Sequence, residues 1–205
     1  MTAAPRPERR PVVFVDRDGT LHRELPEPVA DPDALELVDG AADALRRLNE
    51  AGYWVVVITN QSAIARGWIA PEQLARVHAA MLDLLRRGGA RVDLVVSCPH
   101  HPTEGRPPYR RRCKCRKPLP GMLREAERRL PIERAGSWMI GDAERDLAAG
   151  RALGLPNILV ATGKGTAERE RLAAAGAPPE HFVADLPRAV ERILSGSRAP
   201  ARDGR

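Results

Sequence analysis

The stretch Val12-Val-Phe-Val-Asp-Arg-Asp-Gly-Thr20 decides the fold of this chain. Its four leading apolar residues, three of them β-branched, are typical of a short buried strand. The strand leads into two carboxylates, Asp16 and Asp18, which are followed by a turn at Gly19 and the hydroxyl of Thr20. Side chains two positions apart on an extended segment point to the same side, so both acids can face one ligand. A surface Asx turn is the alternative for an isolated Asp-x-Asp, and the rest of the chain argues against it.

Apolar runs of strand length alternate with amphipathic helical patterns along nearly the whole chain. The predicted strands after the first are Tyr53–Thr59, Val92–Ser97, Ser137–Ile140, Asn157–Val160 and a short edge strand His181–Val183. The predicted helices are Ala41–Ala51, Pro71–Arg87, Pro120–Leu130, Asp146–Leu153, Glu168–Ala175 and Leu186–Leu194. Strands that are joined through helices form a parallel sheet covered on both faces. The predicted fold class is therefore α/β, a doubly wound Rossmann-like parallel sheet with ligands at the carboxyl ends of its strands.

Length and composition are those of one soluble domain: 205 residues, 43% hydrophobic and 29% charged. The net charge of +6 favours anionic ligands but does not separate nucleic acid from phosphorylated metabolites. No run approaches the roughly 18 apolar residues of a membrane span, and the first ten residues lack the apolar part of a secretory signal. We predict a cytoplasmic enzyme with a flexible segment 1–10, a single domain over 11–194 and a disordered tail 195–205.

The chain has three cysteines, and all of them lie in one segment with two histidines: Cys98, His100, His101, Cys113 and Cys115. An odd, clustered number of cysteines argues against a disulfide framework and for a metal. Cys-x-His followed by Cys-x-Cys offers four ligands of the kind that a closed structural zinc site uses, although Cys-x-x-Cys is the commoner spacing. The predicted metal loop, 98–115, would hold a Pro- and Arg-rich excursion, Pro102–Arg112, that cannot fold by itself.

Polar residues of the kind that phosphoryl chemistry uses follow the predicted strands and the metal loop. They are Asp16, Asp18, Thr59, Asn60, Arg116, Lys117, Asp142 and Asp146. Each has an ordinary alternative, because Thr-Asn is usual in turns and caps, a lone lysine is usually solvated, and Asp142 can cap a helix. Asp146 is expected to support the site by bonding to the backbone. The joint order of these residues favours a functional site.

These residue types match the needs of phosphate-ester hydrolysis. Asp16 can attack phosphorus and form an aspartyl-phosphate, which divides one difficult step into two. Mg²⁺ uses one or two carboxylates, and Asp16 and Asp142 are its natural ligands. Asp18 can protonate the leaving oxygen and later deprotonate water. Thr59 and Lys117 would hold the transferring oxygens.

The motifs Asp16-Arg-Asp-Gly-Thr20, Thr59-Asn60, Lys117 and Gly141-Asp142, in this order, resemble those of the haloacid dehalogenase-like superfamily of aspartate-nucleophile phosphotransferases. A narrower set of segments is similar to the family of D-glycero-D-manno-heptose 1,7-bisphosphate 7-phosphatases, which is close to the histidinol-phosphate phosphatases. These segments are Phe14–Thr20, Thr59–Gly67, Cys98–Pro102 and Cys113–Met122. The likeness runs from about Val12 to Lys164.

The resemblance implies a Mg²⁺-dependent phosphatase without a cap domain, in which the backbone carbonyl of Asp18 is a further magnesium ligand. Only about 35 residues separate the first motif from the second strand, which agrees with the missing cap. Substrate choice would then come from the segment Leu21–Leu37 and the metal loop. The implied zinc ligands are Cys98, His100, Cys113 and Cys115, while His101 is a spare that supports the site or faces the substrate. The expected substrate contacts are Arg17, Asn60, Gln61, Ser62 and Arg116.

Three positions on the substrate side depart from the family pattern. Ala143 replaces a basic residue, His22 replaces an asparagine, and the segment 23–30 lacks a Gly-Tyr pair. The expected reaction is removal of the C7 phosphate of a heptose 1,7-bisphosphate, with Arg116 binding the distal phosphate or the sugar. Histidinol-phosphate phosphatase or another small phosphomonoester phosphatase is the alternative.

The basic segment Arg110–Lys117 suggests a more distant alternative, a zinc-stabilised nucleic-acid-binding or 3′-phosphatase module. Aromatic residues, which nucleic-acid binding uses for base stacking, make up only 3% of the chain. A decayed enzyme used as a scaffold disagrees with the intact acids and Lys117. We therefore expect a monomer that acts on a small phosphorylated sugar, without nucleic acid or membrane partners.

Overall fold

The apolar runs of the sequence form a central sheet in the computed structural model, which describes residues 8–196. The strands are β1 Arg10–Asp16, β2 Trp54–Asn60, β3 Leu94–Cys98, β4 Ile132–Gly141, β5 Asn157–Val160 and β6 Phe182–Val183. The helices are α1 Ala41–Glu50, α2 Ala63–Arg66, α3 Pro71–Arg87, α4 Gly121–Arg129, α5 Glu144–Arg151, α6 Gly165–Ala174 and α7 Leu186–Gly196.

The six strands are all parallel and lie in the order β3-β2-β1-β4-β5-β6. The chain builds outward from β1 to β3 and then crosses back to β4 on the other side of β1. This reversal creates a topological switch point between β1 and β4, where open parallel sheets bind ligands. The predicted doubly wound α/β fold is confirmed, and the switch point lies next to Asp16 and Asp142.

Successive side chains of a strand point to opposite faces of the sheet, so the core is divided between those two faces. Val13 and Val15 of β1 pack with α1, α3 and α7 on one face. Val12 and Phe14 pack with α4 and part of α5 on the other. Because both faces are covered by helices, the central strands are apolar throughout and become polar only where they end.

The predicted strand Ser137–Ile140 is the last part of a longer strand. β4 begins at Ile132 and pairs first with Arg10 and Pro11 of β1, after which the register shifts. The Ser137 hydroxyl accepts a hydrogen bond from the Val12 N–H, 2.9 Å away, close to this shift. Residues 133–136 are exposed, so their hydrophobicity does not reveal the strand.

Most other element ends differ from prediction by a few residues. The short helix α2 and a 3-10 turn at Pro32–Ala34 were not predicted. β1 begins at Arg10, inside the segment expected to be flexible, and α7 continues to Gly196, two residues beyond its predicted end. The remaining parts of the expected flexible N-terminus and disordered tail, 1–7 and 197–205, lie outside the described residues.

Between β1 and α1 the chain forms a loop over the carboxyl end of the sheet, with the 3-10 turn as its regular element. Within residues 8–196 no separate cap domain is present, as expected. No helix in this part of the chain has the length and apolar character required to cross a membrane.

Candidate active site

Asp16 ends the central strand β1 and is only 3% exposed. The ammonium group of Lys117 lies 2.8 Å from Asp16 Oδ1 and 2.7 Å from Asp146 Oδ1. The same group donates a hydrogen bond to the Ile58 carbonyl, at 3.1 Å. A buried lysine in contact with two carboxylates compensates charge in the place where a phosphate dianion would otherwise be repelled.

Lys117 lies in a loop, and Asn60 at the end of β2 fixes its backbone. The Asn60 amide donates to the Lys117 carbonyl and accepts from the Lys117 N–H, both at 3.1 Å. Sequence reasoning assigned Asn60 to substrate contact. In the structure its amide joins two distant segments and so determines where the lysine lies.

Three buried carboxylates, those of Asp16, Asp142 and Asp146, have ligand oxygens within 4.8 Å of one another. Asp142 Oδ2 accepts a hydrogen bond from the Lys164 N–H at 2.9 Å. Asp142 Oδ1 is buried and accepts no hydrogen bond from residues 8–196. The only cation near this oxygen in the described residues is Arg145, whose Nη2 lies 3.8 Å away. Like charges this close, with one oxygen free of hydrogen bonds, fit a hard divalent cation that takes oxygen ligands.

Glycines on two loops make room around this carboxylate group. A Cβ at Gly19 or Gly163 would lie 2.2 or 2.3 Å from Asp142 Oδ2. Both glycines also have a positive φ, at 77° and 59°, which disfavours any side chain. The loops after β1 and β5 therefore approach Asp142 at a distance that only glycine permits.

Burial is the main cause of raised pKa values at this site, and neighbouring carboxylates add to it. Burial, helped by the charge of Asp146, raises the pKa of Asp16 to about 8 although Lys117 opposes the shift. Burial also raises the pKa of Asp142 to about 6. Without a cation, Asp16 and Asp142 therefore take up protons at a higher pH than an ordinary aspartate does.

Asp18 lies just beyond the end of β1 and is not part of the three-carboxylate group. Arg17 donates to its Oδ1 through Nε and Nη2, at 2.9 and 2.8 Å. Gln61 Nε2 donates to its Oδ2 at 2.7 Å, and Thr59 Oγ1 lies 3.3 Å from the same oxygen. Burial alone would raise the pKa of Asp18, but the charge of Arg17 and these hydrogen bonds hold it below its usual value.

A cavity of about 300 Å³ opens above these groups. Its charged lining residues are Arg17, Asp18, Glu24, Glu27, Arg66, Arg116, Arg145 and Lys164. Of these, sequence reasoning did not find Glu24, Glu27, Arg66 and Lys164, and it noted Arg145 only as a basic residue near Ala143 whose direction the helix does not fix. Lys164 had a usable signal, because Thr162-Gly-Lys164 follows β5 at the edge where ligands bind. Glu24 had no such signal, and the structure turns both Glu24 and Arg145 toward the cavity.

The predicted metal loop forms a second cluster. Sγ atoms of its three cysteines lie 3.2 to 3.5 Å apart, too far for a disulfide. His100 Nδ1 lies 3.6 Å from Cys98 Sγ and 3.4 Å from Cys115 Sγ. In a tetrahedral zinc site the sulfurs are about 3.8 Å apart, so this donor set fits zinc after a small expansion.

His101 lies outside this cluster and stabilises the excursion that follows. Its Nδ1 accepts a hydrogen bond from the Glu104 N–H at 2.9 Å, and its Nε2 lies 3.4 Å from Arg66 Nη2. The excursion also contacts α2, because the Arg106 N–H donates to the Ala65 carbonyl.

The sequence and fold of the chain are similar to those of known phosphatases. A family model described as HAD-hydrolase-like matches residues 114–189. D-glycero-beta-D-manno-heptose-1,7-bisphosphate 7-phosphatase of Yersinia pestis is 40% identical over 183 residues, which cover 88% of this chain and 95% of the relative. The relative of the same name from Salmonella typhi is 40% identical over 184 residues, 89% of this chain and 96% of the relative.

The chain belongs to this family of HAD-like phosphatases. It is therefore a phosphoric monoester hydrolase. The resemblance seen in the motifs is thereby confirmed over most of the chain.

Solved structures of heptose bisphosphate phosphatases agree with the fold. The D,D-heptose 1,7-bisphosphate phosphatase from B. bronchiseptica, complexed with magnesium and phosphate, has a TM-score of 0.79 and 36% identity, and the alignment covers 91% of this chain and 99% of that one. The enzyme from Burkholderia thailandensis has a TM-score of 0.65 and 33% identity, with 91% and 99% of the two chains covered.

Proposed function

We propose that this HAD-like phosphatase hydrolyses the C7 phosphate of D-glycero-D-manno-heptose 1,7-bisphosphate through an aspartyl-phosphate and requires Mg²⁺. The contact of buried Asp16 with Lys117, beside Asp142, carries the reaction type. The names of the 40% identical relatives support the substrate. The phosphate that leaves and the one that stays would both be anions, which suits the basic residues of the cavity.

The proposed reaction has two displacements at phosphorus. The Asp16 carboxylate is the ionised form once a cation compensates its charge, and the phosphate dianion bound beside Asp18 raises the pKa of that carboxyl so that it starts the step protonated. An Asp16 oxygen bonds to phosphorus while the bond from phosphorus to the C7 oxygen breaks, and Asp18 gives that oxygen its proton. In the second step Asp18 takes a proton from water, the water oxygen bonds to phosphorus, and the bond to Asp16 breaks. Inorganic phosphate leaves, and both aspartates return to their first state.

The residues around Asp16 compensate the charge in this reaction. Lys117, at 2.8 Å from Asp16, is close enough to contact an equatorial oxygen of the phosphoryl group as well. Thr59 lies at the carboxyl end of β2, on the Asp18 side of the site, and is proposed to hold another oxygen. Asp16, Asp142 and the Asp18 carbonyl would hold Mg²⁺, which supplies further positive charge when bound.

The second phosphate and the sugar require contacts farther from Asp16. Arg116 lines the cavity, and its Nη1 donates a hydrogen bond to the His100 carbonyl at 3.2 Å. Its guanidinium is therefore held in part by the metal loop. We propose that Arg116 binds the distal phosphate or the sugar, with Arg145 as a second cation that lines the same cavity. Ser62, whose hydroxyl accepts from Arg66 Nη1 at 2.6 Å, is proposed as a polar contact.

The apparent affinity for Mg²⁺ is expected to weaken by about tenfold or more as the pH falls from 8 to 6. The reason is that Asp16, with a pKa of about 8, and Asp142, with a pKa of about 6, gain protons over this range, and the cation must displace them. Isothermal titration with Mg²⁺ in two buffers of different ionisation enthalpy measures both the affinity and the protons released. Release of about one proton per ion at pH 7 is expected.

Replacing a distant acid gives the control for this titration. Asp43 of α1 is exposed and pairs with Arg46, so Asp43→Asn should leave the affinity and the proton release unchanged. An affinity that is constant from pH 6 to 8 would show that Asp16 and Asp142 are already ionised without metal.

Phosphate release from heptose 1,7-bisphosphate and from histidinol phosphate, with and without Mg²⁺, tests the proposed function. We expect kcat/KM for the bisphosphate to be at least about a hundredfold higher, because cations at the cavity match a second phosphate. Arg116→Gln should reduce this preference without abolishing turnover. A preference for histidinol phosphate would assign this chain to the other substrate, and turnover without Mg²⁺ would contradict the metal requirement.

We further propose that the enzyme is a cytoplasmic monomer. Every group used in the proposed chemistry comes from one chain. A reducing compartment keeps the thiols of Cys98, Cys113 and Cys115 available to a metal, which supports the cytoplasm.

A further inference from the structure

Both oxygens of the Asp18 carboxylate have partners within the protein. The guanidinium of Arg17 binds Oδ1 with two donors, at 2.9 and 2.8 Å. Gln61 Nε2 binds Oδ2 at 2.7 Å and also donates to Thr59 Oγ1 at 2.7 Å. Two side chains from different loops thus converge on one carboxylate.

Arg17 contributes to the lining of the cavity but is almost fully buried, and two of its donors are used on Asp18. The side chain of Arg17 is only 2% exposed, whereas that of Asp18 is 30% exposed. Nη1 of Arg17 and Nε2 of His78 are buried without a hydrogen-bond partner in the described part of the chain. Burial, and then the charge of Arg17, lower the pKa of His78 to about 4, so a neutral ring lies near this guanidinium.

Gln61 is equally enclosed, at 4% exposure. Its amide nitrogen is already used on Asp18 and Thr59. A substrate hydroxyl or phosphate that took this donor would have to remove it from the carboxylate. The two residues are therefore engaged with Asp18 before any substrate arrives.

We infer that Arg17 and Gln61 are positioning residues that hold Asp18 in the orientation required for proton transfer, with Oδ2 as the oxygen that exchanges the proton. This inference rests on the proposed function, in which Asp18 protonates the leaving oxygen. Arg17 binds Oδ1 with a rigid pair of donors. These contacts oppose rotation of the Asp18 carboxylate about its Cβ–Cγ bond. The proton passes from Oδ2 to the C7 oxygen as its bond to phosphorus breaks.

The leaving group distinguishes this role from substrate binding. An alkoxide is a poor leaving group and needs a proton, whereas p-nitrophenolate leaves without one. The quantity to compare is kcat/KM, which includes only the steps up to formation of the aspartyl-phosphate. The substrates are heptose 1,7-bisphosphate, or the best alkyl phosphate if it is not hydrolysed, and p-nitrophenyl phosphate.

We expect Arg17→Gln and Gln61→Met to lower kcat/KM for the alkyl phosphate by about tenfold or more, and for p-nitrophenyl phosphate by less than about threefold. Gln61→Met removes one donor without changing the charge, so it keeps the test valid if Arg17→Gln does not fold. Arg46→Gln, which alters an exposed ion pair on α1, is the matched control and should leave both values unchanged.

Equal losses on the two substrates would overturn the inference, since they would mean that Arg17 and Gln61 contact the phosphate or maintain the fold. Asp18→Asn in the same comparison separates this failure from failure of the proposed function. If Asp18→Asn affects the alkyl phosphate selectively and the Arg17 and Gln61 variants do not, only the positioning role is wrong. If Asp18→Asn is also unselective, the assignment of Asp18 as the proton donor fails.

Discussion

Replacement of Asp16 by asparagine is expected to lower turnover by about 10⁴-fold or more, because an amide cannot form the proposed aspartyl-phosphate. The same change should not destabilise the metal-free protein at pH 7. The folded state raises the pKa of Asp16 from 3.8 to about 8, so this group favours folding below pH 4 and loses that contribution as the pH rises toward 8. Asparagine carries no charge, so the folded protein no longer bears the cost of ionising a buried carboxyl. Lys117 keeps its contact with Asp146.

Two measurements test this expectation together. Steady-state phosphate release gives the loss of turnover, and thermal unfolding without Mg²⁺ at pH 7 should give a Tm equal to or above that of the wild type. Asp43→Asn, on the exposed side of α1, should leave turnover unchanged. Retention of more than about a hundredth of wild-type turnover in Asp16→Asn would exclude Asp16 as the nucleophile.

Loss of zinc from the metal loop is expected to lower turnover strongly, even when Mg²⁺ is saturating. Cys113→Ser and His100→Gln each take one ligand from the cluster of three thiols and one imidazole. Cys115 directly precedes Arg116 and Lys117 in the chain, so a loop released from zinc also releases the lysine that contacts Asp16. We expect turnover to fall by about a hundredfold or more, with a lower Tm.

His101→Gln is the matched control, since it makes the same chemical change one residue away and outside the cluster. Metal analysis of the purified proteins should find about one zinc per chain in the wild type and in His101→Gln, and little in His100→Gln and Cys113→Ser. Full turnover by a zinc-free variant would show that Asn60 and the contacts of the Lys117 ammonium hold this residue in place without the metal.

The Cys/His cluster that could hold zinc also lies next to the basic segment of the chain. The basic segment Arg110–Lys117, which suggested a nucleic-acid-binding module from sequence, begins inside the excursion Pro102–Arg112. In the structure Arg106 and Arg110 take part in the turns of the excursion through their backbones. The local basic run therefore belongs to a loop whose ends are fixed by the metal cluster and whose middle contacts α2.

The sequence by itself determined the order of the elements, the parallel sheet and the residues at the strand ends. Buried parallel strands are continuous apolar runs, and the polar residue that ends such a run is visible without a structure. Asp16, Thr59 and Asp142 were predicted in this way, and the structure places them at the strand ends. The residues of the metal loop were predicted from the clustering of cysteines and histidines, and the structure brings Cys98, His100, Cys113 and Cys115 together. The first part of β4 was missed for the opposite reason, since its residues 133–136 are exposed and carry no apolar signal.

Only the tertiary structure decided which partners these residues have. Asn60 and Gln61 look alike in sequence, as amides after a strand, yet one fixes the backbone of Lys117 and the other holds Asp18. Asp146 was expected to bond to backbone, and it does so at the Ala143 N–H, but it also contacts the ammonium of Lys117. Whether two such side chains pair depends on the distance between segments that are far apart in the chain. That distance cannot be predicted from local hydrophobicity or residue spacing.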